Sequence, residues 1–301
     1  MIKKTLFFEN PSYISTENGQ LCIKSRNGDN ETIRTIPIED IGLTIFDHPQ
    51  ITTTQGAITN LLKNNACIVY CDEKHLPASF MLPLYDNDTY SEKVRMQINA
   101  SEPLKKQLWK QTVTQKIFNQ SAVLKTLGLK YKNLEIIYKK VSSGDADNME
   151  GYASALYWEE ILRPYNTRRG RFESGPNHLF NFGYAILRSI IARSLVGSGC
   201  LPVLGIHHTN KYNPYCLADD IMEPYRPIVD LFICTNILQK EEIKEELSRE
   251  NKIALLQIPV LDINIDKKQS PLMVGSQRTT ASLVKCFSGE LRKIAYPEIS
   301  C

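Results

Sequence analysis

Two rhythms of apolar and polar positions divide this chain. Before about residue 85, apolar positions alternate or run together in short blocks. After about residue 90 they recur every three or four positions. Leu21-Cys-Ile-Lys-Ser and Glu31-Thr-Ile-Arg-Thr-Ile-Pro alternate with a period near two, as half-buried strands do. Asn27-Gly28-Asp29-Asn30 between them is strong turn chemistry, so the two segments are expected to form a hairpin. Ile41-Gly-Leu-Thr-Ile-Phe and Cys67-Ile-Val-Tyr-Cys are uninterrupted enough to be buried strands, with a short helix over 54–63 between them. Pro77 and Pro83 interrupt the stretch beyond the second of these strands, and Tyr85-Asp-Asn-Asp-Thr has the composition of a linker.

The second rhythm is helical. Trp109, Val113 and Ile117, then Leu124 and Leu127, then Leu134, Ile137 and Tyr138, repeat at three- and four-residue spacing. Asp145-Ala-Asp-Asn-Met-Glu150 supplies several N-cap candidates for a further helix. Residues 185–195 predict a central buried helix that ends near Gly197-Ser-Gly199. Glu241 to Glu250 predicts a charged surface helix. The expected fold class is α+β: a small β-rich domain over 1–85, a linker over 86–100, and a larger all-helical domain over 101–301.

Composition changes this picture little. The chain has 42% hydrophobic and 23% charged residues, enough for a sizeable core. The N-terminus has basic residues but only three apolar ones after them, too few for a secretion signal. The longest apolar region is broken by Arg188 and Arg193, so no bilayer span is expected and a cytoplasmic protein is. Eight cysteines are scattered without a second pair to answer Cys67 and Cys71, which suggests neither a zinc ribbon nor a disulfide frame.

Charge distribution says more than net charge. The total is only +3, yet residues 1–90 hold seven Lys/Arg against eleven Asp/Glu, a balance of −4. Residues 91–140 hold eleven against three, a balance of +8. Such a block, with Lys105, Lys106 and Lys110 in it, can neutralise phosphates; it is equally compatible with a solvated helical surface. Arg163, Arg168, Arg169 and Arg171 come close together further on, with Tyr165 and Phe172 among them. Arginines with interleaved aromatics suit phosphate backbones and unpaired bases, or a loop held by salt bridges.

The densest group of chemically capable residues lies between Gly205 and Arg226. His207 and His208 open it; Lys211 comes next; Asp219, Asp220 and Glu223 close it before Arg226. In a helix over 216–223, Asp220 and Glu223 share a face. Carboxylates that close repel unless partnered, and a divalent cation is one such partner. An imidazole with carboxylates can hold Mg²⁺ or Mn²⁺. An acid-rich helix N-terminus is the alternative reading. No nucleotide-binding glycine loop and no Gly-X-Ser-X-Gly occurs.

The wording of four motifs is more specific than their chemistry. Leu217-Ala-Asp-Asp-Ile-Met-Glu-Pro-Tyr-Arg-Pro-Ile-Val-Asp, within the run from Gly205 to Asp230, closely resembles the signature of the CRISPR adaptation integrases, the CRISPR-associated protein 1 family. Pro37-Ile-Glu-Asp-Ile-Gly, Glu150-Gly-Tyr-Ala-Ser-Ala-Leu-Tyr-Trp and Pro176-Asn-His-Leu-Phe-Asn-Phe-Gly-Tyr-Ala-Ile-Leu resemble three further motifs of that family, in family order. The resemblance implies a metal-dependent endonuclease or integrase whose larger domain is catalytic and whose β-rich domain dimerises. By motif its ligands fall on Glu150, His208 and Glu223, with Asp220 as a supporting acid and His207 in a positioning role at most. Many relatives carry aspartate where Glu223 stands. The resemblance further implies a homodimer that joins CRISPR-associated protein 2 on double-stranded DNA. Lys105, Lys106, Lys110, Arg163, Arg168, Arg169, Arg171, Lys211 and Arg226 are then the candidate phosphate contacts. The wording around the histidine pair looks most like systems with a single-protein RNA-guided effector nuclease (type II), a further possible partner. A transposon-encoded integrase of the same superfamily, or a catalytically inactive DNA-binding scaffold, would share much of this pattern.

Overall fold

The structure is a computed structural model; it describes residues 3–27, 30–84, 87–170, 173–239 and 247–300. The chain divides into two compact units, Met1–Tyr90 and Ser91–Cys301.

The first unit is built from two four-stranded sheets. One has the order β1-β5-β7-β8, from β1 (Lys4–Phe8), β5 (Ile41–Phe46), β7 (Cys67–Cys71) and β8 (Pro77–Met81). The other has the order β4-β3-β2-β6, from β2 (Ser12–Glu17), β3 (Gln20–Asn27), β4 (Asn30–Pro37) and β6 (Ile51–Thr53). The expected hairpin is β3 and β4, antiparallel from Gln20↔Pro37 to Asn27↔Asn30; Gly28 and Asp29 of its turn lie outside the described residues. Strand β5 pairs in parallel with both β1 and β7 and is buried at every position, which is why its sequence shows no alternation. Helix α1 (Gln55–Lys63) begins at Thr54, whose hydroxyl accepts the Ala57 amide. Its Ala57 and Leu61 join Phe8, Ile14, Leu21, Ile41 and Ile68 in one core. Pro77 does not end the sheet: it opens the edge strand β8, a position where the missing amide costs nothing.

The second unit is mainly helical. Its helices are α2 (Tyr90–Ile98), α3 (Glu102–Thr126), α4 (Lys132–Ile137), α5 (Met149–Leu162), α6 (Asn177–Gly197), α7 (Cys216–Met222), α8 (Arg226–Ile233), α9 (Arg249–Leu255) and α10 (Leu272–Phe287). It is not all-helical: β9 (Asp262–Ile265) and β10 (Lys268–Pro271) form an antiparallel hairpin turned by Asp266 and Lys267, both with positive φ. Of the charged helix expected at Glu241–Glu250, residues 241–246 lie outside the described residues, and α9 begins at Arg249.

Helix α6 is the centre. It is long and apolar enough to span a bilayer by length and composition, contrary to the reading of its arginines as disqualifying, but 78% of that stretch is buried inside the protein. Ser194 of α6 and Ser198, which caps it, meet Ser276 and Thr280 of α10 at 2.8 and 2.7 Å, so the two helices share hydroxyl contacts along their seam. Nearer its N-terminal end, a Cβ at Gly183 would lie 2.9 Å from Val229 of α8, so the small residue permits that close crossing. A Schellman-like turn closes α6 with Gly199 at φ +86°.

The stretch expected as a linker, 86–100, carries α2, and Gln97 ties it into the helical unit. Its buried amide donates to the carbonyls of Leu201 and Leu204 at 3.0 and 2.8 Å and accepts the Leu201 amide at 2.9 Å. These bonds hold the loop that leads directly to the histidine pair. Gln97→Leu leaves two carbonyls and an amide without their partner and should destabilise the helical unit by about 2 kcal/mol, read as a shift in its urea unfolding midpoint.

Candidate active site

The site forms where α3, α5 and the α7–α8 junction meet, and the element that gathers it is a lysine. Lys116, on the buried face of α3, sits between two carboxylates: its ammonium donates to Glu150 Oε1 and lies 2.5 Å from Glu223 Oε2. Its side chain is only 7% exposed. Arg226 closes the group from the far side, 3.1 Å from Glu223 Oε1. Two cations and two anions thus share one pocket, and each is held by an opposite charge, as burial demands.

Each carboxylate is placed by its own local device. Glu150 occupies the first turn of α5, where the helix dipole favours an anion. That turn is capped twice over. Asp145, at φ +53°, accepts the Met149 and Glu150 amides at 2.9 and 3.0 Å, and Asn148, at φ +51°, accepts the Gly151 amide at 3.2 Å. Glu223 falls at the break between α7 and α8, where Pro224 and Pro227 lack amides to carry the helix through. Asn119 of α3 donates to the Pro224 carbonyl at 2.7 Å and so pins that break to the same face as Lys116. Burial raises the Glu223 carboxyl, but Arg226, Lys116 and His208 outweigh it and hold its pKa below the usual value. The Lys116 contact is ionic rather than directed, which leaves Glu223 Oε2 buried with no donor aligned on it.

The histidine pair is organised by Asp220. This fully buried carboxylate accepts the backbone amides of Ile206, His207 and His208 at 2.7, 3.0 and 3.2 Å. It also takes the His208 Nδ1–H at 2.6 Å. A carboxylate can only accept, so the Nδ1 nitrogen must carry the proton and Nε2 is left as the open nitrogen of the neutral ring. Gly205 makes the turn possible: a Cβ there would lie 2.3 Å from the His208 carbonyl and 2.8 Å from Asp220 Oδ2. His207 points elsewhere. Its ring stacks flat on Trp109 of α3, centroids 4.1 Å apart, while His208 meets the same indole edge-on at 5.6 Å.

Each of these acids has a partner within the protein itself. Asp219 is held by Arg188 at 2.6 Å and Asn213 at 2.7 Å, Asp220 by the turn, and Glu223 by Lys116 and Arg226. Asp220 lies in α7 and Glu223 just past its end, and they serve different partners. Among the described residues, no group of three His, Cys, Asp or Glu side chains is close enough to ring a cation.

The candidate phosphate contacts separate into two kinds. Arg169 is committed internally: its guanidinium lies over Trp158, Phe180 and Tyr184 and donates to Asn177 and Asn181. Arg226 is likewise engaged, by Glu223 and by the Tyr184 ring at 4.9 Å. Behind them Tyr157 and Tyr184 donate to buried Asp230, whose pKa burial pushes up to about 7 against those two bonds. Arg163 and Arg168 are exposed, paired with Glu160 and Glu173, and line a cleft of about 970 Å³ that also touches Gly151 and Ser154 of α5. Lys211 and Lys105 line a second cleft of about 410 Å³ with His208 in its wall. Lys106 is exposed and Lys110 half-buried. Arg171 lies outside the described residues.

The family described as "CRISPR associated protein Cas1" matches residues 6–258 of this chain. The chain belongs to that family. A CRISPR-associated endonuclease Cas1 of Neisseria meningitidis is 33% identical over 302 residues, 99% of this chain and 97% of that protein. Among solved structures, a casposase bound to integration product superposes with a TM-score of 0.81 at 19% identity, covering 97% of this chain and 92% of that one. A chain of a Cas6-RT-Cas1–Cas2 complex does so with 0.73 at 20% identity, covering 99% of this chain and 36% of that one. At those identities the superpositions show a shared fold.

Asp220 is the carboxylate that hydrogen-bonds the histidine ring. The Asp220 hydrogen bond raises the His208 pKa above its ordinary 6.5, against burial that lowers it. Because the folded-state value is raised, the stability this pairing contributes is complete below pH 6.5 and is lost as pH climbs through the folded value. Asp220→Asn should therefore bring the His208 titration, followed by NMR of its ring protons, down to or below 6.5.

Proposed function

We propose that this chain is a divalent-metal-dependent DNA integrase of CRISPR adaptation. It joins the 3′-hydroxyl ends of a short donor duplex to phosphodiesters at the borders of the repeat. The observation that carries the reading is the gathering of Glu150 and Glu223 on Lys116, next to an imidazole latched by Asp220. Family membership supplies the reaction class.

The donor set suits Mg²⁺ or Mn²⁺. It combines two carboxylates, one with a buried oxygen lacking an aligned donor, and an imidazole with Nε2 left open; the nitrogen favours Mn²⁺ of the two. Glu150, His208 and Glu223 are the residues that would hold the ion. Bound there, it would polarise the target phosphate and stabilise charge on the leaving oxygen. The rest of the work belongs to the chain. Asp220 fixes the His208 tautomer and orientation. The double cap by Asp145 and Asn148 aims Glu150. Trp109 stacks on the His207 ring and fixes its orientation, a positioning role. Lys106, Lys110, Lys211, Arg163 and Arg168 supply sequence-independent phosphate contacts that set the DNA's register.

The working form is a homodimer joined to CRISPR-associated protein 2. The fold match to a chain from a Cas1–Cas2 complex supports that partner. The wording of Gly205–Asn210 and Asp219–Pro227 supports a system with a single-protein effector nuclease. A second reading, an integrase acting on transposon ends, is favoured by the casposase superposition. Donors with transposon terminal repeats, offered without the small partner, separate the two.

The test is a supercoiled plasmid bearing leader and repeat, incubated with donor duplex, Mn²⁺ and the small partner. Glu150→Ala and His208→Ala should each lower strand transfer by about a thousandfold or more, with duplex binding in gel shift within about twofold of the parent. Full integration by either variant would remove the site; metal-independent duplex binding with no strand transfer by the parent chain would leave a scaffold.

A further inference from the structure

Lys116 lies outside the four motifs that carry the family resemblance, yet it makes the contacts that bring the site together. A lysine this enclosed needs anionic partners, and it has two, from elements 34 and 107 positions away along the chain. Both are carboxylates placed by rigid local devices, so they would face one another across the pocket without it. The ammonium lies between them, in the position a bridging cation would take. It is a single charge on a flexible four-carbon stem, free to swing without moving the backbone of α3.

We infer that Lys116 is a built-in place-holder: its ammonium keeps Glu150 and Glu223 in register while no ion is bound, and a divalent ion binds by displacing it. This rests on the reading of Glu150, His208 and Glu223 as the metal-holding set. A monovalent cation on a tether and a free divalent ion compete for the same two oxygens. The tethered one keeps the acids from separating; the free one wins by its higher charge and by coordinating the open nitrogen of His208 together with both acids. After displacement the stem leaves Lys116 within reach of the same pocket, next to wherever a phosphate oxygen meets the ion.

The competition fixes the sign of a measurement. Removing a merely structural lysine would loosen the acids and weaken metal binding. Removing a competitor strengthens it. The experiment uses the full chain and Mn²⁺ alone, with binding followed by calorimetry and by the EPR signal of free Mn²⁺. Lys116→Met should bind Mn²⁺ about fivefold to tenfold more tightly than the parent at about pH 8. In EDTA it should melt about 5–10 °C lower, because two buried acids then face each other, and Mn²⁺ should restore most of that loss. Lys116→Gln, which keeps a hydrogen-bonding amide, carries the same expectation should the methionine variant not fold, and Lys116→Arg, which keeps the charge, should not bind Mn²⁺ more tightly than the parent. Unchanged or weaker Mn²⁺ binding by both neutral variants overturns the inference while leaving the metal set intact. A parent chain that binds no Mn²⁺ overturns both.

Discussion

The helical unit depends on one closed set of charges. Lys116 and Arg226 balance Glu150 and Glu223, and the four come from α3, α5 and the two sides of the α7–α8 break. Lys116 and Glu223 are too deeply buried to be tolerated alone, because desolvation of an unpaired ion costs several kcal/mol. The set is therefore a packing constraint as much as a chemical one. Its two short ion contacts require that α5 approach α3 with its first turn, and that α7 end where it does.

The neighbours of this set make the same point with neutral groups. Asn119 lies three positions after Lys116 on the same helix face and takes over the Pro224 carbonyl; its other amide proton serves Pro297, and its own oxygen accepts the Ile299 amide. Asp220 spends its whole accepting capacity on the turn that carries the histidines. Neither residue has spare hydrogen-bonding capacity, so neither can relax without taking its partner from a backbone group.

Much of the architecture is legible along the chain. Alternation shows β3 and β4, an uninterrupted block shows β5, and the three-four spacing shows α3, α4 and the buried α6. Strand β1 is hidden by its place at a basic N-terminus, and β8 by its proline, which an edge position accommodates. The β9–β10 hairpin is only four residues a side and turns on Asp266-Lys267 rather than on a glycine pair. For the site, Glu150, His208, Asp220 and Glu223 are legible only as motif wording, since nothing local distinguishes a helix-start glutamate from a functional one. Lys116 is one charge of many in the basic block. Its position carries a signal all the same: Trp109, Val113, Lys116 and Gln120 fall at helical spacing on the stripe that α3 buries, and a lysine on that stripe needs an anion from elsewhere. The arginines mislead in the opposite way, because a sequence cannot show that Arg169 is already enclosed by three rings.

The double cap at the start of α5 separates two duties that a single residue often combines. Asp145 and Asn148 satisfy the first amides of the helix between them, and Glu150 contributes none of those bonds. The helix would start at the same place with almost any side chain at position 150. The start of the helix thus places no demand on residue 150, and the acid there answers the buried charge of Lys116 instead.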